Sequence, residues 1–380
     1  MRIAVPLILA LLFRYALVFS HVFIEPLHGG LHDAETFERL AADWAAIGLD
    51  HVLEHYRGPN SHFYAVKAGV VYAIAGREVV VLMSLSVLAA MLTLVYGYKL
   101  TREIWGAEIA RLSFWVMALF PLHMLYSIHH RREVFIYLFF VLTMYFVARF
   151  SNTSRPYYLA FAGISAFAGI FYHTGMLFLI LSISILILFR VVKSATFRGK
   201  INPLFAIAGL IFFIGAVGFV ASGGALSGIG DWRRWTDADM IVGMAEGRAH
   251  GGAAYPSWLL PSRDVDLIWN VPVRAIYLLF APFPWDVRSS VHLIGLADGL
   301  LFMLVAFALW RSRKLIAANQ CAKDVFYVML PFLLVFGMSV ANFGNGMRHR
   351  QKFIIILIAL AAPYIARFVS RLIRGINRTT

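Results

Sequence analysis

The stretch Val79-Val80-Val81-Leu82-Met83-Ser84-Leu85-Ser86-Val87-Leu88-Ala89-Ala90-Met91-Leu92-Thr93-Leu94-Val95-Tyr96-Gly97-Tyr98 decides the fold class. It holds no charge until Lys99 and Arg102 close it. A helix rising 1.5 Å per residue needs about 20 such residues to cross the roughly 30 Å hydrocarbon core of a bilayer. Comparable runs are Ile3–Ile24, Ala107–Ser127, Val134–Phe150, Tyr157–Tyr172, Gly175–Arg190, Pro203–Ser222, Val291–Trp310, Val325–Asn342 and Phe353–Phe368. The fifth and sixth spans, separated by His173 and Thr174, read as a helical hairpin. His62–Ala75 and Val271–Phe283 are too short to cross and read as juxtamembrane or re-entrant helices. The expectation is an all-α polytopic membrane protein of about ten transmembrane helices, forming one domain over residues 1–380.

Composition agrees. Of 380 residues, 61% are apolar and 14% charged, against about 45–50% and about 25% in soluble domains. Mean hydropathy is +0.75, which excludes a soluble enzyme with one buried core and excludes disorder. The net charge of +14 sits in short clusters between apolar runs, so it indicates membrane topology rather than nucleic acid. A single cysteine, Cys321, excludes a disulfide framework and a cysteine-based metal cage.

With the N-terminus inside, Lys99, Arg102, Arg149, Arg155, Arg190, Lys193, Arg311, Arg313, Lys314 and Arg367 become cytoplasmic. The acids gather in two opposite loops, 25–78 and a second running from 223 toward 290. This is the positive-inside asymmetry, with both termini cytoplasmic. Arg131-Arg132 and Arg348–Lys352 break it from the outer side and become site candidates. Arg14, inside the first span, is expected to pair with a polar group of the bundle. That span, lacking a small-residue cleavage site, reads as uncleaved.

The first loop begins His28-Gly29-Gly30-Leu31-His32-Asp33-Ala34-Glu35. After it, Phe37, Leu40, Trp44 and Ile47 recur at helical spacing, as in an amphipathic helix on the membrane surface. Asp33 opens that helix, either as a cap or as a reactive carboxylate. A second cluster, His129-His130-Arg131-Arg132-Glu133, suits an anion such as phosphate, or is an interfacial turn with snorkelling arginines. A third, Asn342 to Arg350, sets two glycines beside Arg348 and Arg350 as a phosphate cradle. Pro282-Phe283-Pro284-Trp285, flanked by Arg274 and Arg288, reads as a structural corner. These clusters are all expected on one side of the membrane.

Together, the aspartate and helix after the first span, the run Tyr64–Gly76, Ile104 to Ala110, Ala118-Leu119-Phe120-Pro121 and Ser127 to Glu133 resemble the membrane glycosyltransferases of GT-C fold. That group includes protein O-mannosyltransferases and the aminoarabinose transferase of lipid A; the chain is most similar over its first half. Glu133 stands where the family has its second aspartate, and Phe37 stands at the family's tyrosine.

The resemblance implies a polyprenyl-phosphate sugar donor and a glycan, lipid or protein acceptor, within membrane lipid and without nucleic acid. For such a transfer Asp33 and Glu133 are the expected catalytic residues, and Arg131, Arg132, Arg348, Arg350 and Arg274 the expected donor-phosphate ligands, because guanidinium pairs bidentately with phosphate oxygens. His32, Glu35 and His129 would be accessory. Asp33, His32, His129 and Glu133 allow a divalent cation without a spacing that demands one. The expected setting is the extracytoplasmic face of a bacterial plasma membrane, in surface-glycan assembly. A polysaccharide polymerase using diphosphate-linked oligosaccharides and a lipid-linked-sugar flippase are the alternatives.

Overall fold

A computed structural model describes residues 3–30, 33–58, 62–198, 251–261 and 266–376, with isolated positions between 214 and 249. The expected span Pro203–Ser222 and most of the loop from 223 lie outside the described residues. The helices are α1 (Ala4–Phe23), α2 (Asp33–Ile47), α3 (Leu49–Glu54), α4 (Phe63–Ala75), α5 (Val79–Trp105), α6 (Ala107–Ala118) and α7 (Pro121–Tyr126). They continue as α8 (Glu133–Thr153), α9 (Tyr157–Ile170), α10 (Leu177–Arg198), α11 (Asp266–Phe280), α12 (Ser290–Ala318), α13 (Gln320–Ser339) and α14 (Phe343–Ile376). The protein is an all-α polytopic membrane protein.

Seven of the described helices are long and apolar enough to cross a membrane: α1, α5, α8, the segment Thr174–Val191, α12, α13 and Phe343–Arg371. Two of the expected crossings differ in form. The run Ala107–Ser127 is split, because Phe120 is extended ahead of Pro121, and proline disfavours helical backbone in the residue before it. The other, α9, has 14 residues and stays short. It packs against α8 and reaches α10 through a one-turn helix, Thr174–Met176, as the hairpin reading expects.

Polar contacts fix the helix directions. At one end, Arg149 of α8 pairs with Glu103 of α5 at 2.8 Å, so these two helices run parallel. At that same end Arg149 also donates to Tyr158 of α9 at 2.7 Å, and Asn319 Nδ2 donates to the Ile104 carbonyl at 2.9 Å. Arg190 of α10 pairs there with Asp324 of α13. Gly106, at φ 88°, ends α5 in a conformation that favours glycine and turns the chain into α6. Because α5 and α8 are parallel, α6 and α7 together make the return between them. The opposite end therefore gathers residues 24–30, 33–58, 62–78, 119–133 and 340–352, and the corner at residues 281–289.

The middle of the bundle is closed by small residues. A Cβ on Gly97 of α5 would meet Ile355 Cγ2 of α14 at 2.6 Å, so only glycine permits that approach. Arg14 behaves as its position predicts. Its Nε donates to Ser127 Oγ at 2.9 Å, and its Nη1 donates to the carbonyls of Ala10 and Ala118 at 3.1 and 3.5 Å. It thereby joins α1 to the break between α6 and α7.

The surface helix α2 is present, with one feature that periodicity did not reveal. Its buried residues are Ala34, Glu38, Ala41 and Ala42, which face α4, while Ile47 is exposed. Glu38 takes hydrogen bonds from Tyr72 at 2.9 Å and from two Arg77 nitrogens at 3.0 Å each. This pair joins α2 to the end of α4.

Candidate functional site

A cavity of about 390 Å³ opens at the end of the bundle where the loops gather. Its cationic wall is Arg131, from the turn before α8, and Arg348, from the second turn of α14. His28 and Gly29 after α1, Tyr126 of α7, Val291 and His292 of α12, and Asn345 and Met347 of α14 complete most of the lining. Ala253 closes one side, held there because Tyr255 N–H donates to the Ala341 carbonyl at 3.0 Å and Phe343 N–H to the Ala253 carbonyl at 2.9 Å.

Behind this wall Arg348 Nε lies 3.2 Å from Glu133 Oε1, the two side chains being 12% and 5% exposed. Glu133 is the first residue of α8, where the helix dipole favours a carboxylate. Tyr137, one turn on, donates from its hydroxyl to the Arg348 carbonyl at 3.4 Å. The arginine therefore touches both the cavity and a buried acid.

The histidines around the turn are structural. His129 is fully buried, and its Nε2 donates to the His28 carbonyl at 3.0 Å. Its ring meets His21 edge-on at 5.0 Å. Burial, followed by the neighbouring His21, pushes the His129 pKa down to about 3. Burial likewise brings His130 to about 4, and burial followed by Arg131 lowers His28. At neutral pH these three histidines are therefore uncharged, while Arg131 and Arg348 carry positive charge at the cavity.

The structure separates the other sequence candidates. Arg350 is fully buried away from the cavity. Its Nε donates to Asp298 Oδ2 at 2.6 Å, and its Nη1 to the carbonyls of Ala281 at 2.6 Å and Leu279 at 3.3 Å. Its Nη2 donates to the Gly295 carbonyl at 2.8 Å. The expected phosphate ligand is a clamp between α11, α12 and α14. Arg274 is also fully buried and donates from Nη2 to the Val340 carbonyl at 2.8 Å. Arg132 immediately precedes α8, makes no side-chain cap there and does not line the cavity.

The glycine cradle is not a nest either. Asn342 Oδ1 takes the Gly344 amide at 2.8 Å, and the Asn342 carbonyl takes Gly346 N–H at 2.9 Å, as at any capped helix start. The proline corner is structural: Asp286 Oδ2 accepts from Phe283 N–H at 3.0 Å.

Asp33 begins α2, and its side chain, like the whole of His32, lies outside the described residues. Gly30 packs directly against the rings of His21 and His129, which brings the start of α2 to this end of the bundle. Glu35 is exposed. Among the described residues no group of three or more His, Cys, Asp or Glu is placed to hold a metal ion. Sequence reasoning missed His28, Tyr126 and His292 as cavity walls, because the residues that meet here come from segments far apart in the chain, His28 and Tyr126 being 98 positions apart.

The chain superposes on the Archaeoglobus fulgidus oligosaccharyltransferase in its apo form with a TM-score of 0.56 at 13% identity, over 99% of this chain and 52% of that one. The chain has the GT-C glycosyltransferase fold. The archaeal oligosaccharyltransferase AglB, from the same organism and in complex with an inhibitory peptide and a dolichol-phosphate, gives a TM-score of 0.54 at 12% identity, over 98% and 52% of the two chains. The chain thus spans about half the length of these solved proteins. Residues 62–218 match the family described as dolichyl-phosphate-mannose-protein mannosyltransferase. No curated protein matches the chain by sequence.

Proposed function

We propose that the protein is a membrane glycosyltransferase that moves a sugar from a polyprenyl-phosphate-linked donor to a glycan, lipid or protein acceptor. The observation that carries this reading is the cavity walled by Arg131 and Arg348 at one end of a GT-C bundle. Two guanidinium groups at a membrane edge suit a phosphate whose lipid tail stays in the bilayer, since each presents a fork of donors to phosphate oxygens. The family matched over residues 62–218 is described by a dolichyl-phosphate sugar, and one structural relative was solved with a dolichol-phosphate. Both support a donor of that class here.

In this reading Asp33 takes the proton from the acceptor hydroxyl as the new glycosidic bond forms. The bond from the anomeric carbon to the donor phosphate breaks, and the departing phosphate stays paired with Arg131 and Arg348. Glu133 fixes the Arg348 side chain. The charge asymmetry supports an extracytoplasmic site at the bacterial plasma membrane, with both termini cytoplasmic and a role in cell-surface glycan assembly.

The test is turnover in nanodiscs supplied with a polyprenyl-phosphate sugar and an acceptor glycan, following release of polyprenyl phosphate. Release that is lost in Arg348→Ala supports the reading. A chain that moves the lipid across the bilayer without releasing polyprenyl phosphate is a flippase and rejects it.

A further inference from the structure

One strongly charged seam takes no part in the mechanism above. It lies between α12 and α14, at the end of the bundle away from the cavity. The two helices run parallel: Val291 and Asn345, near their starts, both line the cavity, and Ser312 Oγ donates to the Ala361 carbonyl at 3.4 Å toward their far ends. Trp105, which closes α5, donates from Nε1 to the Ala359 carbonyl at 2.9 Å. The last turns of α14 therefore lie at the end that holds Arg149 and Arg190.

On α12 the residues Leu300, Leu304, Phe307, Arg311 and Lys314 recur every three or four positions and form one stripe. The whole stripe is exposed, apolar in its first part and cationic at its end. On α14, Arg367 and Arg371 follow Tyr364 at helical spacing, share its face and are exposed. The two stripes meet. The Phe307 ring abuts the Tyr364 ring edge-on at 5.8 Å, and the Arg311 guanidinium lies 6.0 Å from the first ring centre and 5.5 Å from the second.

No acid answers these cations. Glu103 is engaged by Arg149 and Asp324 by Arg190. Among the described residues Glu108 forms no ion pair, and Arg311, Lys314, Arg367 and Arg371 have no carboxylate within ion-pair distance. Like charges on facing stripes repel, and an anion between them removes the penalty. Membrane topology needs only the number of charges near the span ends, not their alignment on one seam. Arg313 shows the difference, lying about 200° round the helix from Arg311. It folds onto its own helix, donating to the Trp310 carbonyl at 2.9 Å with its guanidinium 4.3 Å from that ring centre.

We propose that the seam binds an anionic phospholipid of the leaflet at that end, its phosphate among Arg311, Lys314, Arg367 and Arg371 and an acyl chain along Leu304 and Phe307. The exposed apolar part of the stripe selects a lipid over a soluble anion, because phosphate alone leaves it uncovered. The site lies at the opposite end from the cavity and does not rest on the donor reading.

The experiment is native mass spectrometry of the purified full chain in detergent, titrated with phosphatidylglycerol or phosphatidylcholine, and with tripolyphosphate as a soluble competitor. Wild type is compared with Arg311→Gln/Arg367→Gln, Lys314→Gln/Arg371→Gln and Arg313→Gln. Phosphatidylglycerol is expected to bind wild type at least about tenfold more tightly than phosphatidylcholine, and each double variant to lose at least about tenfold of that affinity. Arg313→Gln is expected to stay within about twofold of wild type. Because the substituted side chains are exposed, melting in phosphatidylcholine alone should match wild type in every variant. Equal affinity for the two lipids overturns the proposal, as does wild-type binding in either double variant. A loss in Arg313→Gln as large as in the double variants also overturns it, since that marks diffuse charge rather than a site. Tripolyphosphate that displaces the lipid at equal concentration assigns the seam to a soluble anion and rejects the lipid.

Discussion

Arg348 and Arg350 stand two residues apart on α14, and their surroundings are opposites. At about 100° per residue they point roughly 200° apart around the helix. Arg350 faces the interior, where Asp298 and three backbone carbonyls take its donors. Arg348 faces α8 and the cavity, in an ion pair with Glu133. The first arrangement uses a charge to lock three helices together. The second leaves a guanidinium at a cavity wall, where an incoming anion can compete for it. Charge in a run of sequence therefore says little until the helix phase is known.

The comparison breaks if Arg350 can be lost cheaply. Arg350→Met leaves Asp298 buried without its partner, which costs about 3–5 kcal/mol. A large fall in thermal stability and in folded yield is expected, with Arg350→Met/Asp298→Leu recovering most of it. Full stability in the single variant would move Arg350 out of the structural class.

Asp33 sharpens the same contrast from the reactive side. Asparagine starts a helix about as well as aspartate does, so Asp33→Asn should leave stability unchanged. Transfer should fall by about 10²–10⁴-fold, as on losing a general base. Single-turnover assays with saturating donor separate that loss from weakened binding.

Arg348→Ala should behave unlike Arg350→Met. Because Arg348→Ala alone leaves the buried Glu133 unpaired, it is made in a Glu133→Gln background. There donor binding is expected to drop about 10–100-fold, in the range for losing a charged hydrogen-bond partner, while melting changes much less than in Arg350→Met. Arg348→Lys should restore part of it, since a point charge lacks the guanidinium fork. Lipid titration with parallel melting curves checks both.

How much of this was legible in the sequence follows from the same two arginines. Local patterns carried the apolar spans, the α9–α10 hairpin, the surface helix after Asp33 and the proline corner, because each depends on residues within a few turns. The clustering at one end was also legible, through the placement of charges at span ends. The partition between Arg348 and Arg350 was not. It depends on Asp298, 52 positions before Arg350, and on Glu133, which comes from another helix altogether. The glycine cradle failed for a related reason: Asn342 supplies a cap that takes the amide a phosphate would need. The full crossing expected over Ala107–Ser127 broke at Pro121, whose effect on the preceding residue outweighed the apolar pattern.

The smallest expected effect lies at Glu38, where a charge pair joins two surface helices. Burial raises the Glu38 pKa, but the Arg77 and Tyr72 hydrogen bonds outweigh it and leave the carboxyl below its ordinary range. A depressed folded pKa stabilises above the unfolded value of about 4.3, and that contribution disappears as pH falls through the folded value. Arg77 is 62% exposed, so solvent screening limits the pair to under about 1 kcal/mol. Glu38→Gln should lower the melting temperature slightly at pH 7, and the difference from wild type should shrink as pH falls below the unfolded value and vanish once it passes the folded one. A difference that persists in acid would assign the effect to packing.

The central claim is that the phosphate of the donor sits between Arg131 and Arg348. A cryo-EM structure of the full chain in nanodiscs with a polyprenyl phosphate tests it most directly. The account predicts phosphate density in the cavity, within hydrogen-bond distance of both guanidinium groups, with Arg350 still clamped to Asp298. Phosphate density at the opposite end of the bundle, beside Arg149 or Arg190, would contradict it.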